Sequence, residues 1–297
     1  MMTVAITVGS TIVASKLMAD MPVFIAAFLR FSLASPVLVA IVWITRKRLP
    51  SLSWREWGTL AAQAGLGSVG YSVLLIVGLS LTQASDASVI AGTLPAVAAL
   101  LSFVVLREQL SGWTMLAIML ATLGVGVLGQ GDLAADGMGG QRWMGNALVL
   151  CAIACEAVFL LLNKTIRTQM DPLVVAATMS VLSMVFCAVP ALFQWTQGSE
   201  TVMTARALGA AIYYALVPTV LGFYLWYQGA SKVSGAEASL FTAVYPIAAL
   251  LLSAGVLGEA IETRHWIGAG ITILGIAAGA RRPGGKTAEP VKSGNCT

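Results

Sequence analysis

The sequence predicts an all-α integral membrane protein of ten transmembrane helices, built as two inverted five-helix repeats. Three observations carry this prediction. Hydrophobic residues make up 58% of the 297-residue chain and charged residues only 10%, where a soluble globular protein averages about 25% charged. The mean hydropathy of +0.87 leaves too few polar side chains to cover a water-soluble particle of this size. Apolar runs of about 20 residues, the length a bilayer core demands of a helix, recur along the chain. A soluble enzyme, a secreted disulfide scaffold and a nucleic-acid binder are thereby excluded.

The expected spans are residues 2–19, 22–44, 57–80, 84–106, 112–128, 145–165, 172–194, 207–229, 236–257 and 265–280. Short turns rich in Pro, Gly, Asp and Ser separate them, among them Asp20-Met21-Pro22, Asp171-Pro172 and Ser234-Gly235. The first apolar stretch has no basic segment before it and no cleavage-type site after it, so it reads as a retained span. The expected organisation is a first repeat over 1–128, a linker loop over 129–144, a second repeat over 145–280 and a disordered cytoplasmic tail over 281–297. The linker is too short for a folded module such as an ATPase.

Lysine and arginine set the orientation. With the N-terminus inside, twelve of them fall in cytoplasmic segments and four, Lys16, Arg142, Arg206 and Arg264, fall outside. Both termini are then cytoplasmic, and the expected location is the cell (inner) membrane. The net charge of +4 reads as anchoring charge at the bilayer rather than a polyanion-binding patch. Cys151, Cys155 and Cys187 lie in apolar runs and Cys296 in the tail, which suggests reduced thiols. The single histidine, His265, is far from Cys151 and Cys155 in sequence, so neither a metal site nor a cofactor is expected.

The chain also repeats itself. Asp86-Ala87-Ser88 aligns with Glu237-Ala238-Ser239, Pro95 with Pro246, Glu108 with Glu259 and Gly124 with Gly275, each pair 151 residues apart. Five spans is an odd number, so the second half enters the membrane upside down relative to the first, an arrangement common among secondary transporters.

Two matched stretches, Ser88…Pro95…Arg107-Glu108-Gln109-Leu110…Gly124 and Ser239…Pro246…Gly258-Glu259…Gly268…Gly275, resemble the two repeats of the EamA family of the drug/metabolite transporter superfamily. Arg30-Phe31 resembles that family's second helix, and Val8-Gly-Ser-Thr-Ile-Val-Ala-Ser-Lys16 its first, although Val8 stands where a tryptophan is common. Within the family the chain is most similar to amino-acid and metabolite exporters of the YddG type. The resemblance implies a transporter and not an enzyme, working on a small-molecule substrate in the lipid bilayer, by alternating access of two inverted halves. Amino acids, aromatic ones included, are the implied substrates. A proton-coupled multidrug exporter is the alternative, and a membrane-embedded enzyme a weaker one, because the spans hold no clustered nucleophiles, bases or metal ligands.

Charges and breaks within the spans mark the candidate pathway. Glu156 lies near the centre of the sixth span, where a carboxylate costs several kcal/mol unless it is protonated, paired or facing water. It either contacts substrate, carries a proton or pins packing. Helical spacing puts Phe159 and Asn163 on its face. Arg30 can neutralise a substrate carboxylate, snorkel to the interface or pair with a helix-end carboxylate. Tyr71 and Tyr224 lie deep in the third and eighth spans and can line a cavity for flat side chains. Pro95 and Pro246 interrupt corresponding helices and are expected to break or gate them beside that cavity. Glu259 reads as a cap or interface anchor. Gly65-Leu-Gly67-Ser-Val-Gly70 and Gly124-Val-Gly126-Val-Leu-Gly129 match a dinucleotide motif in letters but sit in helices, where small residues serve close packing. Gly268, Thr272, Gly275 and Gly279 form a similar stripe, for packing or self-association.

Overall fold

A computed structural model of the chain describes residues 2–107, 111–129, 139–166, 168, 170–197, 203–222, 224–225 and 244–280. The expected tail, the start of the ninth span, Glu108 and Thr242 lie outside them. All regular structure among the described residues is helical. The elements in order are α1 (Met2–Leu17), α2 (Val23–Ile44), α3 (Trp54–Ala62), a π-helical segment π1 (Gln63–Gly70), α4 (Tyr71–Leu81), α5 (Ala84–Ala91), α6 (Leu94–Leu106), α7 (Gly112–Gly129), α8 (Gly139–Thr165), α9 (Pro172–Thr196), α10 (Ala205–Tyr214), a second π segment π2 (Ala215–Leu221), α11 (Val244–Leu257) and α12 (Thr263–Ala280).

Local chemistry sets the helix starts. Ser53 and Glu56 form a reciprocal capping box on α3, Asp171 caps α9 just before Pro172, and Thr204 caps α10. Each supplies an acceptor to amide groups that a helix start leaves open. Among the described residues, four continuous helices are long and apolar enough to cross a membrane: Val23–Ile44, Trp54–Leu81, Gly140–Asn163 and Pro172–Thr196. The pair Ala84–Ala91 and Leu94–Val105, bent by 49°, makes a fifth if it is one span. The chain is a multi-pass membrane protein.

The bend between α5 and α6 falls at Gly92-Thr93, with Pro95 in the first turn of α6. Proline has no amide hydrogen and clashes with the preceding turn, so the ladder of α5 cannot continue through it. The broken end meets α11: a Cβ placed on Gly92 would lie 3.2 Å from Pro246. The two π segments end at Gly70 and Leu221, again 151 residues apart. So do Arg107 and Gly258, which both have positive φ. The widened turns have different causes. Glycines loosen π1, whereas Pro218 deletes a ladder donor in π2.

Without water between helices, close backbone approach does much of the holding. A Cβ on Gly78 would meet Val149 at 2.9 Å and the Gly145 carbonyl at 3.0 Å, which brings α4 against α8. The Gly268–Gly279 stripe packs inside the chain, against α7: a Cβ on Gly268 would sit 2.9 Å from the Gly124 carbonyl, and one on Gly275 3.1 Å from that of Ala117. A pair of variants on one helix tests this. At Gly124 an added Cβ would reach Thr272 Oγ1 at 2.5 Å, while at Gly126 nothing lies within 4 Å. Gly124→Ala is expected to destabilise by about 1–3 kcal/mol through overpacking. Gly126→Ala is expected to be neutral or to gain up to about 1 kcal/mol in helix propensity. Thermal unfolding in detergent checks both.

Candidate functional site: a buried cation, a buried acid and a polar seal

Arg30 is the only charge in the apolar run of α2, and it is 7% exposed. Its Nε donates to Thr219 Oγ1 at 3.0 Å and its Nη1 to Ser72 Oγ at 2.7 Å. Thr219 belongs to π2, and Ser72 lies two residues past the end of π1. Each hydroxyl spends its own hydrogen on a backbone carbonyl, Thr219 on Tyr214 at the end of α10 and Ser72 on Ser68 in π1. That leaves a lone pair turned to the guanidinium. The guanidinium carbon also lies 3.9 Å from the centre of the Tyr214 ring and 4.7 Å from that of Phe31, both favourable cation–π distances. Arg30 therefore neither snorkels nor pairs with a carboxylate: the ion pairs among the described residues involve other side chains. A cation is held in place by neutral groups alone, and such a site attracts an anion.

Glu156 projects from the middle of α8, and its Oε2 is buried with no hydrogen-bond partner among the described residues. Its charge acts on Tyr71, which opens α4, and on Tyr245, in α11. Thr11 of α1 sits beside both tyrosines. The Tyr245 and Tyr214 hydroxyls are likewise buried without partners. Tyr214 interacts electrostatically with Tyr71 and Tyr245 and stacks on Arg30, so it links the acid's surroundings to the cation's. Among the described residues seven elements, α1, α2, α4, α8, α10, π2 and α11, meet here.

The other sequence candidates divide. Pro246 follows Tyr245 directly and abuts the α5–α6 break that Pro95 marks. Phe159 is packed among Leu60, Ala64, Val175 and Met179, and its backbone meets Gly67, where a Cβ would come within 3.0 Å of the Phe159 Cα. Its carbonyl accepts from Gln63. Asn163 lies a further turn along α8 and is half-buried, while Tyr224 is 36% exposed. Neither is drawn into the Arg30–Glu156 cluster by a contact among the described residues. Sequence reasoning passed over Tyr245, Thr11, Ser72 and Thr219. The available signals were the tyrosine next to Pro246 and the hydroxyls within or beside π1 and π2.

A second polar cluster lies at the other ends of these helices. Asp86 and His265 are both completely buried, with His265 Nε2 2.9 Å from Asp86 Oδ1. Arg142, on the first turns of α8, donates from Nε to Asp86 Oδ2 at 2.7 Å and from Nη2 to Gln83 Oε1 at 3.1 Å. Thr82 joins Asp86 to Asn146. Glu259 caps α5, accepting from the Ala84 and Ser85 amides at 2.9 and 2.8 Å, and Lys16 donates to the Leu79 and Thr82 carbonyls that end α4. The capping expected of Glu259 thus acts on a neighbouring helix start. The opposite ends are tied by more exposed contacts: Lys47 to Asp171 at 2.7 Å, and Glu56 to Thr168 at 2.6 Å. Both ring nitrogens of His265 are engaged, and no group of three metal-ligating side chains occurs among the described residues.

The model of the EamA-like transporter family matches residues 1–130 and again 143–278. The chain belongs to the EamA-like transporter family. It is 33% identical over 270 residues to the uncharacterized transporter YetK of Bacillus subtilis, covering 91% of this chain and 82% of that one. It is 27% identical over 236 residues to a probable terminal-alkyne amino-acid exporter of Streptantibioticus cattleyicolor, covering 79% and 77%. A solved crystal structure shares the fold, with a TM-score of 0.64 at 18% identity and 93% of each chain covered.

Proposed function

We propose that this EamA-like transporter is a secondary exporter of amino acids or closely related metabolites. It would work by alternating access between two inverted five-helix halves, with Arg30 taking the substrate carboxylate and Glu156 its ammonium group. The carrying observation is a pair of valences unmatched among the described residues: a buried guanidinium without a carboxylate, and a buried carboxylate oxygen without a donor, bridged by Tyr214 and its neighbours. An amphoteric solute fills both. The tyrosines around Glu156 give its side chain an apolar, aromatic wall. The relative named as a probable amino-acid exporter supports the same class. The matched π segments, the paired positive-φ positions and the approach of Gly92 to Pro246 support a repeat that moves one half against the other.

Counterflow in liposomes tests the reading. Vesicles loaded with one unlabelled amino acid should transiently accumulate its labelled form. Amines lacking the carboxylate, and acids lacking the amine, should exchange at least about tenfold less well, since each forfeits one charge-assisted contact. Exchange of bulky cations with no amino acid moving would replace the reading with a multidrug exporter. Chemical conversion of the solute would replace it with an enzyme.

A further inference from the structure

We propose that His265 is a proton-operated latch on the end of the protein that the lysine and arginine distribution assigns to the outside, released when its imidazole takes up a second proton. The release opens an outer gate only if the chain is the alternating-access transporter proposed above, but the protonation chemistry stands on its own geometry.

The tautomer follows from the partners. The Glu262 amide lies 2.9 Å from Nδ1 of His265. An amide nitrogen only donates, so Nδ1 carries the lone pair and the ring proton sits on Nε2, which donates to Asp86 Oδ1. A second proton can bind only at Nδ1. There it would point straight at the Glu262 N–H, two donors nose to nose, and that bond must break.

Among the described residues, the surrounding charges leave the new one unmatched. From α5, Asp86 is already bound by Arg142 of α8 at 2.7 Å and receives the Thr82 hydroxyl. From the turn before α12, Glu262 is held by Arg264 at 3.0 Å, and Arg264 also reaches the Leu128 carbonyl at the end of α7. Glu259 is within coulombic reach of Lys16 of α1, which also feels the exposed Asp20. The remaining facing groups, Gln83 and Asn146, are neutral. The imidazolium would be a buried charge whose nearest carboxylate already has a cation. Its relief is for the Glu262 amide to leave and for the turn at 258–262 to move outward, letting water in. That turn carries Glu259, the cap of α5. One proton at Nδ1 is thus linked through five residues of chain to the start of the broken helix.

His265 is the only histidine in the sequence, which makes the test direct. Protein labelled with ¹⁵N-histidine and purified without a histidine tag gives the ring nitrogens of this residue alone. The expected spectrum is the Nε2–H tautomer at neutral pH, converting to imidazolium on acidification. In parallel, single cysteines at Ile261, half-buried in the turn, and at exposed Ala260 are placed in a chain whose own cysteines are replaced. Both are reacted with a water-soluble thiol reagent. The Ile261/Ala260 labelling ratio should climb over the range in which the ring titrates, by up to about tenfold per pH unit, the slope of a one-proton linkage. In His265→Gln, which keeps a donor for Asp86 and cannot titrate, the ratio should stay flat. An imidazole that stays neutral down to pH 5 overturns the latch. So does a ring that titrates with no change in the ratio, or a Gln variant with the same slope. None of these readouts uses a substrate. A transporter that fails counterflow but passes them loses its assigned solute, not its latch.

Discussion

Arg30→Gln should reduce counterflow of zwitterionic amino acids by about thirtyfold or more. Truncating one partner of a buried, hydrogen-bonded charge pair costs roughly 2–5 kcal/mol, and each 1.4 kcal/mol is about tenfold in affinity. Arg30→Lys should fall between the two, because an ammonium keeps the charge but cannot serve Thr219, Ser72 and a carboxylate with one planar fork. The variant's stability separates a substrate role from a structural one. In the wild type the guanidinium is buried with only hydroxyls and ring faces around it. Removing a charge that has no counter-charge relieves desolvation cost, so Arg30→Gln should unfold at the same temperature as wild type or higher. A lowered unfolding temperature with transport intact would mean that Arg30 merely ties π1 to π2.

Glu156→Gln should weaken zwitterionic and cationic substrates by about tenfold to a hundredfold, the worth of a charge-assisted contact reduced to a neutral one. Glutamine keeps the size and an acceptor but cannot ionise. Substrate contact and proton carriage then part ways. If Glu156 holds the ammonium group, transport driven by an imposed pH gradient keeps its ratio to transport without one, at reduced affinity. If Glu156 carries a coupling proton, the variant loses the gradient-driven part and keeps exchange. The expected result is the first, because among the described residues Glu156 Oε2 has no hydrogen-bond partner through which a proton could pass on. Wild-type affinity and gradient response together would remove Glu156 from the site.

The helical spans could be read from sequence wherever apolar length alone decides, as at Val23–Ile44 and Pro172–Thr196. The bend next to Pro95 was legible for the same kind of reason, since a proline's missing hydrogen acts locally. The π segments were not. In π1 the glycines read equally well as packing residues, and they do pack, with Gly67 closed against Phe159. The extra residue per turn depends on what lies across the helix. Arg30 and Glu156 stand out in sequence because a charge inside an apolar run is costly anywhere. Their surroundings depend on side chains far off in sequence: Ser72 meets Arg30 across 42 positions and Thr219 across 189. Asp86 and His265 are 179 apart and look like ordinary span-end polar residues. No periodicity could pair them. α8 begins at Gly139, ahead of the apolar run at 145, because its first turns are amphipathic and carry Arg142 into the seal.

The two π segments share position and geometry, yet one is made by glycines and the other by a proline, and only the first half of the chain supplies a cation while only the second supplies Glu156. If the two halves are the inverted repeats proposed above, their pseudo-twofold stops at the solute. A symmetric pore would let a dipolar molecule lie either way round. In the transporter proposed above, its negative pole would be fixed to one repeat and its positive pole to the other, and rocking the repeats would not exchange them. The solute would be carried with a constant heading, like a compass needle in a turning case. D- and L-forms, whose side chains leave the same two poles in mirror directions, would meet different walls.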